Sequence, residues 1–163
     1  MDYKRATHEF PSLVFPDSEI LILGSFPSIK SREAKFFYGH PQNRFWPLLA
    51  ALAGETPLSD VPSKIDFCRR HKIALYDSIE ACSIIGSSDS SIKDVEPADL
   101  LSLYHRSQIK LVVCNGKTSL RYFERYNPNF PCEHACAPST SPANAACSFQ
   151  RLVEEWGKII KIV

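Results

Sequence analysis

The sequence predicts an α/β protein: a central four-stranded, mostly parallel sheet with helices on both faces, a three-layer α/β/α arrangement. Three observations carry this. Short apolar runs recur at residues 20–23, 73–76 and 109–114, each of strand length and apolar enough to be covered on both faces. Segments with helical spacing of apolar residues lie between them, and strands alternating with helices give a parallel sheet. Each run is cut off by a polar turn, at residues 24–28, 77–78, 115–116 and, after a weaker run, 138–144. In a parallel sheet those turns share one rim, the carboxyl edge where open α/β sheets hold their ligands.

In chain order, residues 1–18 read as a polar lead-in broken by Pro11 and Pro16. Residues 20–24 make the first strand; Gly24 permits a tight exit and Pro27 excludes a continuing central strand. A basic loop with aromatics follows. Residues 45–53 form a helix carrying Leu48, Leu49 and Leu52, with Pro47 in its first turn and Gly54 at its end. A helix over 63–71 leads to the second strand at 73–76, and residues 83–95 read as loop. Pro97 opens a helix to residue 105, the third strand is 109–114, and Asn115-Gly116 turns it into a helix over 117–126, stopped by Asn127-Pro128. Residues 132–137 are the weak fourth strand. The closing helix spans 145–160, with Phe149, Leu152, Val153 and Trp156 at helical spacing.

A chain of 163 residues suits one domain with a sizeable core. Apolar content of 44%, charged content of 23% and a net charge of +1 describe an ordinary globular chain, so any nucleic-acid contact must come from local charge. No apolar stretch reaches membrane-spanning length, and the N-terminus leads into no signal core, so a cytoplasmic monomer without a membrane partner is expected. The six cysteines are expected to be reduced, and the Cys132, Cys136 and Cys147 spacing fits no common zinc pattern, so neither metal nor cofactor is expected.

Dinucleotide, P-loop and nucleophile-elbow signatures are lacking. Of the histidines at 8, 40, 71, 105 and 134, only His40 and His134 fall near the proposed rim. Around the loop, Lys30, Arg32, Lys35 and Arg44 oppose only Glu33 and are interleaved with Phe36, Phe37 and Tyr38. That mixture suits gripping a phosphate backbone and stacking an unstacked base; it equally suits a solvated loop whose aromatics cap the core.

Three segments in this order, Gly24-Ser25-Phe26-Pro27-Ser28, Tyr38-Gly39-His40-Pro41-Gln42-Asn43-Arg44-Phe45-Trp46 and Pro138-Ser139-Thr140-Ser141-Pro142-Ala143-Asn144, resemble the uracil-DNA glycosylase superfamily, and within it the hypoxanthine-DNA glycosylase branch. The resemblance runs from about residue 19 to 156 and implies the same fold. It also implies hydrolysis of the bond between deoxyribose and a deaminated base in DNA. Two departures from the uracil-specific branches stand out. The first turn offers Ser25-Phe26-Pro27-Ser28 with no Asp or Asn, and Ala137 stands where a His precedes the late Pro-Ser. Both favour a deaminated purine.

The resemblance makes Asn43 the catalytic amide, its side-chain oxygen orienting a water; an N-cap role for Asn43 is compatible with that. It places Gly24, Ser25, Phe26, Phe37, Tyr38, Asp77 and His134 in the base pocket. There Asp77 either reads a base N–H or caps the next segment, Phe37 or Tyr38 stacks on the base, and His134 protonates the leaving purine. The DNA contacts expected, some from the basic loop and the rest from the motif segments, are Ser28, Lys30, Arg32, Lys35, Lys117, Ser139, Thr140 and Ser141, with Pro142, Ala143 and Asn144 filling the gap left by the flipped nucleotide. The partner implied is DNA containing a deaminated base. A module that holds a flipped base without cutting it, an enzyme on free nucleosides, and a preference for uracil or xanthine are the competing expectations.

Overall fold

The computed structural model describes residues 2–162. Four strands form one parallel sheet in the order β3-β2-β6-β7: β2 (Ile20–Gly24), β3 (Ile73–Asp77), β6 (Leu111–Asn115) and β7 (Glu133–Ala137). The interior residues of β2, all of β3 and the centre of β6 are buried, as continuous apolar runs demand of a sheet covered on both faces. Helices α2 (Phe45–Ala53), α3 (Val61–Arg70), α4 (Leu100–His105), α5 (Lys117–Tyr126) and α6 (Phe149–Ile159) supply the cover. Phe45, Phe67, Phe123 and Trp156 are the largest side chains buried between helices and sheet.

Two tryptophans tie this core to the rim. Trp46 Nε1 donates to Phe37 O at 3.0 Å, and Trp156 Nε1 donates to Pro138 O at 2.9 Å. Each buried indole thus satisfies its N–H on a carbonyl next to a site segment.

The structure adds elements that the sequence reading leaves as loop. Residues 29–34 form a short helix, α1 (Ile29–Ala34), because Ser28 caps it by accepting from Ser31 N. The polar lead-in contains β1 (Lys4–Thr7), and residues 79–97 contain β4 (Ile79–Ile84) and β5 (Lys93–Pro97). These three make an antiparallel sheet in the order β1-β4-β5. Both outer strands are polar and largely exposed, so neither shows an apolar alternation. Pro97 closes β5 instead of opening a helix; α4 starts at Leu100 because Asp99 caps Ser102 N. Likewise α6 starts at Phe149, not residue 145, because Ser148 caps Arg151 N at 3.1 Å.

The second sheet grows straight out of the first. β3 ends at Asp77, and the chain continues through Ser78 into β4, with Ser78 N donating to Gly24 O at 2.8 Å and Ile79 N to Ser25 O at 3.1 Å. β1 pairs with β4, so the residues just after β1 are carried to the carboxyl end of β3.

Candidate active site

The carboxyl ends of β2, β3 and β6 and the segment after β7 surround a cavity of about 560 Å³. Its lining includes Gly24, Ser25, Phe26, Ser28, Phe37, Tyr38, His40, Asn43, Asp77 and Asn115, and on one side Ser139, Thr140, Ser141, Pro142 and Ala143. Cavities of this size hold small-molecule-sized groups. Most residues that the sequence assigns to a base pocket therefore meet at one place.

Asn43 is held by a hydrogen-bond chain with only one possible sense. Its Oδ1 accepts from Phe45 N at 2.9 Å and from Thr140 Oγ1 at 2.8 Å. Thr140 N donates to Asn115 Oδ1 at 3.0 Å, which fixes the Asn115 amide, and Asn115 Nδ2 donates to Thr140 Oγ1 at 3.0 Å. The Thr140 hydroxyl must therefore give its hydrogen to Asn43. Two backbone N–H groups thus settle both amide orientations, and both lone pairs of Asn43 Oδ1 are occupied. Among the described residues Nδ2 has no partner, so the amide has donors to offer beside the oxygen that is expected to orient a water.

Tyr38 sits at positive φ, 54°, a strained setting for a residue with a Cβ. Its ring stacks on Phe45 at a centroid distance of 3.8 Å. Its hydroxyl is buried and lacks a hydrogen-bond partner among the described residues. Burial, reinforced by the nearby Asp77 and only partly opposed by the Asn115 amide, which lies close to the hydroxyl without a hydrogen bond of ordinary geometry, drives it far above its ordinary pKa, so it remains a proton donor. Phe10, Phe26 and Phe37 join Tyr38 and His40 in the aromatic lining of the cavity, with the Arg32 guanidinium 5.5 Å from the Phe26 ring centre.

Asp77 lies against Gly24: a Cβ there would collide with Asp77 Oδ1. Gly116, at φ 95°, is needed for the same reason, since a Cβ would stand 3.0 Å from Ser139 Cβ. Asp77 Oδ2 meets His8 Nε2 at 2.7 Å. Asp89 also lines the cavity, accepts from Ser25 Oγ at 2.9 Å, and has its carboxyl pushed up by desolvation.

Other assigned residues lie elsewhere or are already engaged. His134 is outside the cavity, on β7, bonded to Glu124 Oε2 at 3.0 Å and set against Phe123; β7 pairs it with Val112, below the rim. Arg32 donates to Pro27 O at 3.2 Å and Gly86 O at 3.0 Å, locking α1 to the loop after β4. Thr140 is buried, its hydroxyl fixed as above, so it offers nothing to a phosphate. Asn144 Nδ2 donates to Ser139 O at 3.0 Å and closes its own turn. Ser139 and Ser141 oxygens accept from Ser141 N and Ala143 N. Lys30, Lys35 and Lys117 are exposed.

Sequence reasoning missed His8 and Asn115, and it counted Arg44 in a basic, phosphate-gripping loop. Arg44 donates to the carbonyls of Cys147, Ser141 and Asn144, and its N–H to Thr140 O at 3.1 Å, so it holds the 138–147 segment against α2. An amide ending a buried strand is a readable signal for Asn115. For His8 there was none, because the residues around it carry no periodicity.

The sheet, its cavity and the fixed amide define a protein of the uracil-DNA glycosylase fold. A solution structure from Methanosarcina acetivorans, described as a candidate uracil DNA glycosylase, superposes with a TM-score of 0.80 at 33% identity, covering 92% of this chain and 93% of that one. A hypoxanthine DNA glycosylase of Methanosarcina barkeri is 38% identical over 69% of this chain and 73% of its own length. A second, from Methanosarcina acetivorans, is 34% identical over 93% of this chain and 96% of its own. No family model matches the chain. The chain belongs to the hypoxanthine DNA glycosylase family, within the uracil-DNA glycosylase superfamily.

Proposed function

We propose that this glycosylase hydrolyses the N-glycosidic bond of a deaminated purine flipped out of DNA, with hypoxanthine in deoxyinosine as its main substrate and Asn43 as the catalytic amide. The observation that carries the reading is the Asn115–Thr140–Asn43 chain, which fixes the amide of a cavity-lining Asn43 by its oxygen and leaves its Nδ2 without a partner among the described residues. A base inside a duplex is out of reach, so it must be everted into the cavity.

Cleavage leaves an oxocarbenium-like sugar and places negative charge on the departing base. Fixed donors aimed at developing charge stabilise the transition state more than the ground state. Asn43 Nδ2 serves that role, and a water attacking so electrophilic a sugar needs little activation. Base identity is read by two groups near Gly24: Asp77 accepts from the N1–H of hypoxanthine, and the unpartnered Tyr38 hydroxyl donates to O6. Adenine presents an acceptor at N1, which meets the Asp77 oxygen as acceptor against acceptor, and it lacks the carbonyl at position 6. The exposed Lys30, Lys35 and Lys117 contact phosphates, and Pro142 and Ala143 fill the vacated stack.

The chain is further proposed to act as a monomer on DNA in the cytoplasm. Among the described residues no helix is long and apolar enough to cross a membrane.

The test is a panel of duplexes carrying hypoxanthine, xanthine, uracil or a normal base at one position, scored for abasic product. Hypoxanthine should be released fastest, and Asn43→Ala should slow release by about 10²–10³-fold while remaining folded. Duplex retained without abasic product would instead make this a binding module.

A further inference from the structure

The pair formed by His8 and Asp77 counts its own protons. His8 lies just beyond β1, where its N–H donates to Glu80 O at 2.8 Å. Its side chain is fully buried, with the Tyr76 and Phe10 rings at 4.3 and 4.5 Å. Both ring nitrogens face acceptors: Nδ1 is 2.8 Å from Phe10 O, and Nε2 is 2.7 Å from Asp77 Oδ2. A carbonyl oxygen only accepts, so Nδ1 bears a hydrogen. A carboxylate only accepts, so a second proton lies between Nε2 and Oδ2, whether it sits on the ring or on the carboxyl. Either arrangement has zero net charge, and in either the other oxygen, Oδ1, is an acceptor without a proton. Oδ1 is the atom that lies against Gly24.

We infer that His8 is a positioning residue that sets base specificity through Asp77. It holds the shared proton on the side of the carboxyl away from Gly24 and cancels the carboxylate charge. Asp77 Oδ1 is left to accept from a base N–H, and the pair does not repel the negative charge that collects on the departing base. The contact thereby accepts the N1–H of hypoxanthine, the lactam edge that deamination of adenine creates, and refuses adenine itself; guanine and thymine carry a like edge and are left to the shape of the pocket to exclude. This rests on the glycosylase reading above and names how its substrate class is chosen.

The groups facing the pair favour that assignment. Tyr76 and Tyr38 both have hydroxyls driven up, first by burial, and stay neutral at working pH. Glu80 is engaged by the Tyr76 hydroxyl at 2.6 Å, and Asp89 by Ser25. Among the described residues no lysine or arginine forms an ion pair with Asp77; His8 is its partner.

The test measures single-turnover release of hypoxanthine and of adenine from pH 5.5 to 9 by wild type, His8→Gln, Asp77→Asn and the double variant. Without the ring that holds the shared proton at Oδ2, the Asp77 carboxyl is free to carry that proton on Oδ1 and to meet the base N–H as a donor. Release of hypoxanthine by His8→Gln should therefore fall off towards acid pH more than release by wild type. Asp77→Asn, whose amide can turn, should narrow the preference for hypoxanthine over adenine by tenfold or more. Adding His8→Gln to it should leave the pH profile in place. A purely structural His8 would lower rates equally at every pH and in both backgrounds, which overturns the inference, as does an unchanged base preference in Asp77→Asn. Should His8→Gln fail to fold, Asp77→Asn alone decides by that preference. Wild type that releases no base from any duplex overturns the glycosylase reading and this inference together; coincident profiles in an active wild type overturn the inference alone.

Discussion

Tyr38 and Asn43 separate the demands of folding from those of catalysis at the level of single atoms. The Tyr38 hydroxyl is buried and makes no hydrogen bond of ordinary geometry among the described residues, with the Asn115 amide its nearest polar neighbour to relieve it, a setting that costs stability in the free protein. Tyr38→Phe should therefore leave thermal stability unchanged or raise it, while lowering kcat/KM on hypoxanthine duplex by about tenfold or more, the worth of one hydrogen bond of 1.5 kcal/mol or so. A lower melting temperature with unchanged kcat/KM would show the hydroxyl to be structural. At Asn43 the discriminating change is Asn43→Asp. The carboxylate still accepts from Phe45 N and Thr140 Oγ1, so the local fold is kept, but the two cavity-facing donors become an acceptor. Catalysis by donation predicts a loss as deep as that of Asn43→Ala. Catalysis by an oxygen that orients a water predicts retained or improved turnover, and stopped-time cleavage at neutral pH distinguishes the two.

Elements that bury themselves were legible in the sequence, and elements that decorate an edge were not. The parallel strands announce themselves because both faces are covered and their residues are apolar without interruption. β1 and β5 pair by backbone alone and keep polar side chains in water, so nothing in their residue types marks them as strands. Missing β1 meant missing His8, since only the β1–β4 pairing brings that ring to Asp77. Helix ends were misplaced for a related reason: prolines at 97 and runs of alanine at 145–146 suggested starts, while capping by Asp99 and Ser148 decides them. Site segments recognised by their motifs fell into the cavity, but motifs do not say which side chains are engaged by their own loop, as Arg32, Thr140 and Asn144 are. Arg44 is the element-level counterpart, joining the start of α2 to three carbonyls of the 138–147 segment. Arg44→Ala should cost about 1–3 kcal/mol, near 2–4 °C in Tm for each kcal/mol in a chain of this size. Hydrogen exchange should quicken over residues 138–147 and stay slow in β2 and β3. Uniform protection across that segment in the variant would show that Trp156 and the Asn115 amide suffice to hold it.

Over the whole molecule the charges nearly cancel, at +1, so attraction to DNA depends on where cations stand. Several of the basic groups are tied down: Arg44 and Arg32 bond carbonyls, and Arg70 bridges Glu55 and Asp66, whose carboxyls it holds below their ordinary range, Glu55 down to about 2. Lys35 and Lys117 make no ion pair among the described residues, and Lys30 has only the loose contact with Glu33 at 3.9 Å. Phosphates neutralised by these lysines would release their counterions, so each lysine should contribute about 0.9 to the slope of log affinity against log salt on duplex DNA. Anisotropy titrations of Lys30→Ala, Lys35→Ala and Lys117→Ala should flatten that slope one step at a time, with the loss of affinity uniform across lesion and normal duplex. Arg32→Ala should leave the slope alone and lower Tm instead, because its guanidinium holds α1 to the loop after β4 and is closed to a phosphate. A slope indifferent to all three lysines, together with one sensitive to Arg32, would mean that the α1 segment opens on DNA and that its internal bonds are exchanged for phosphate contacts.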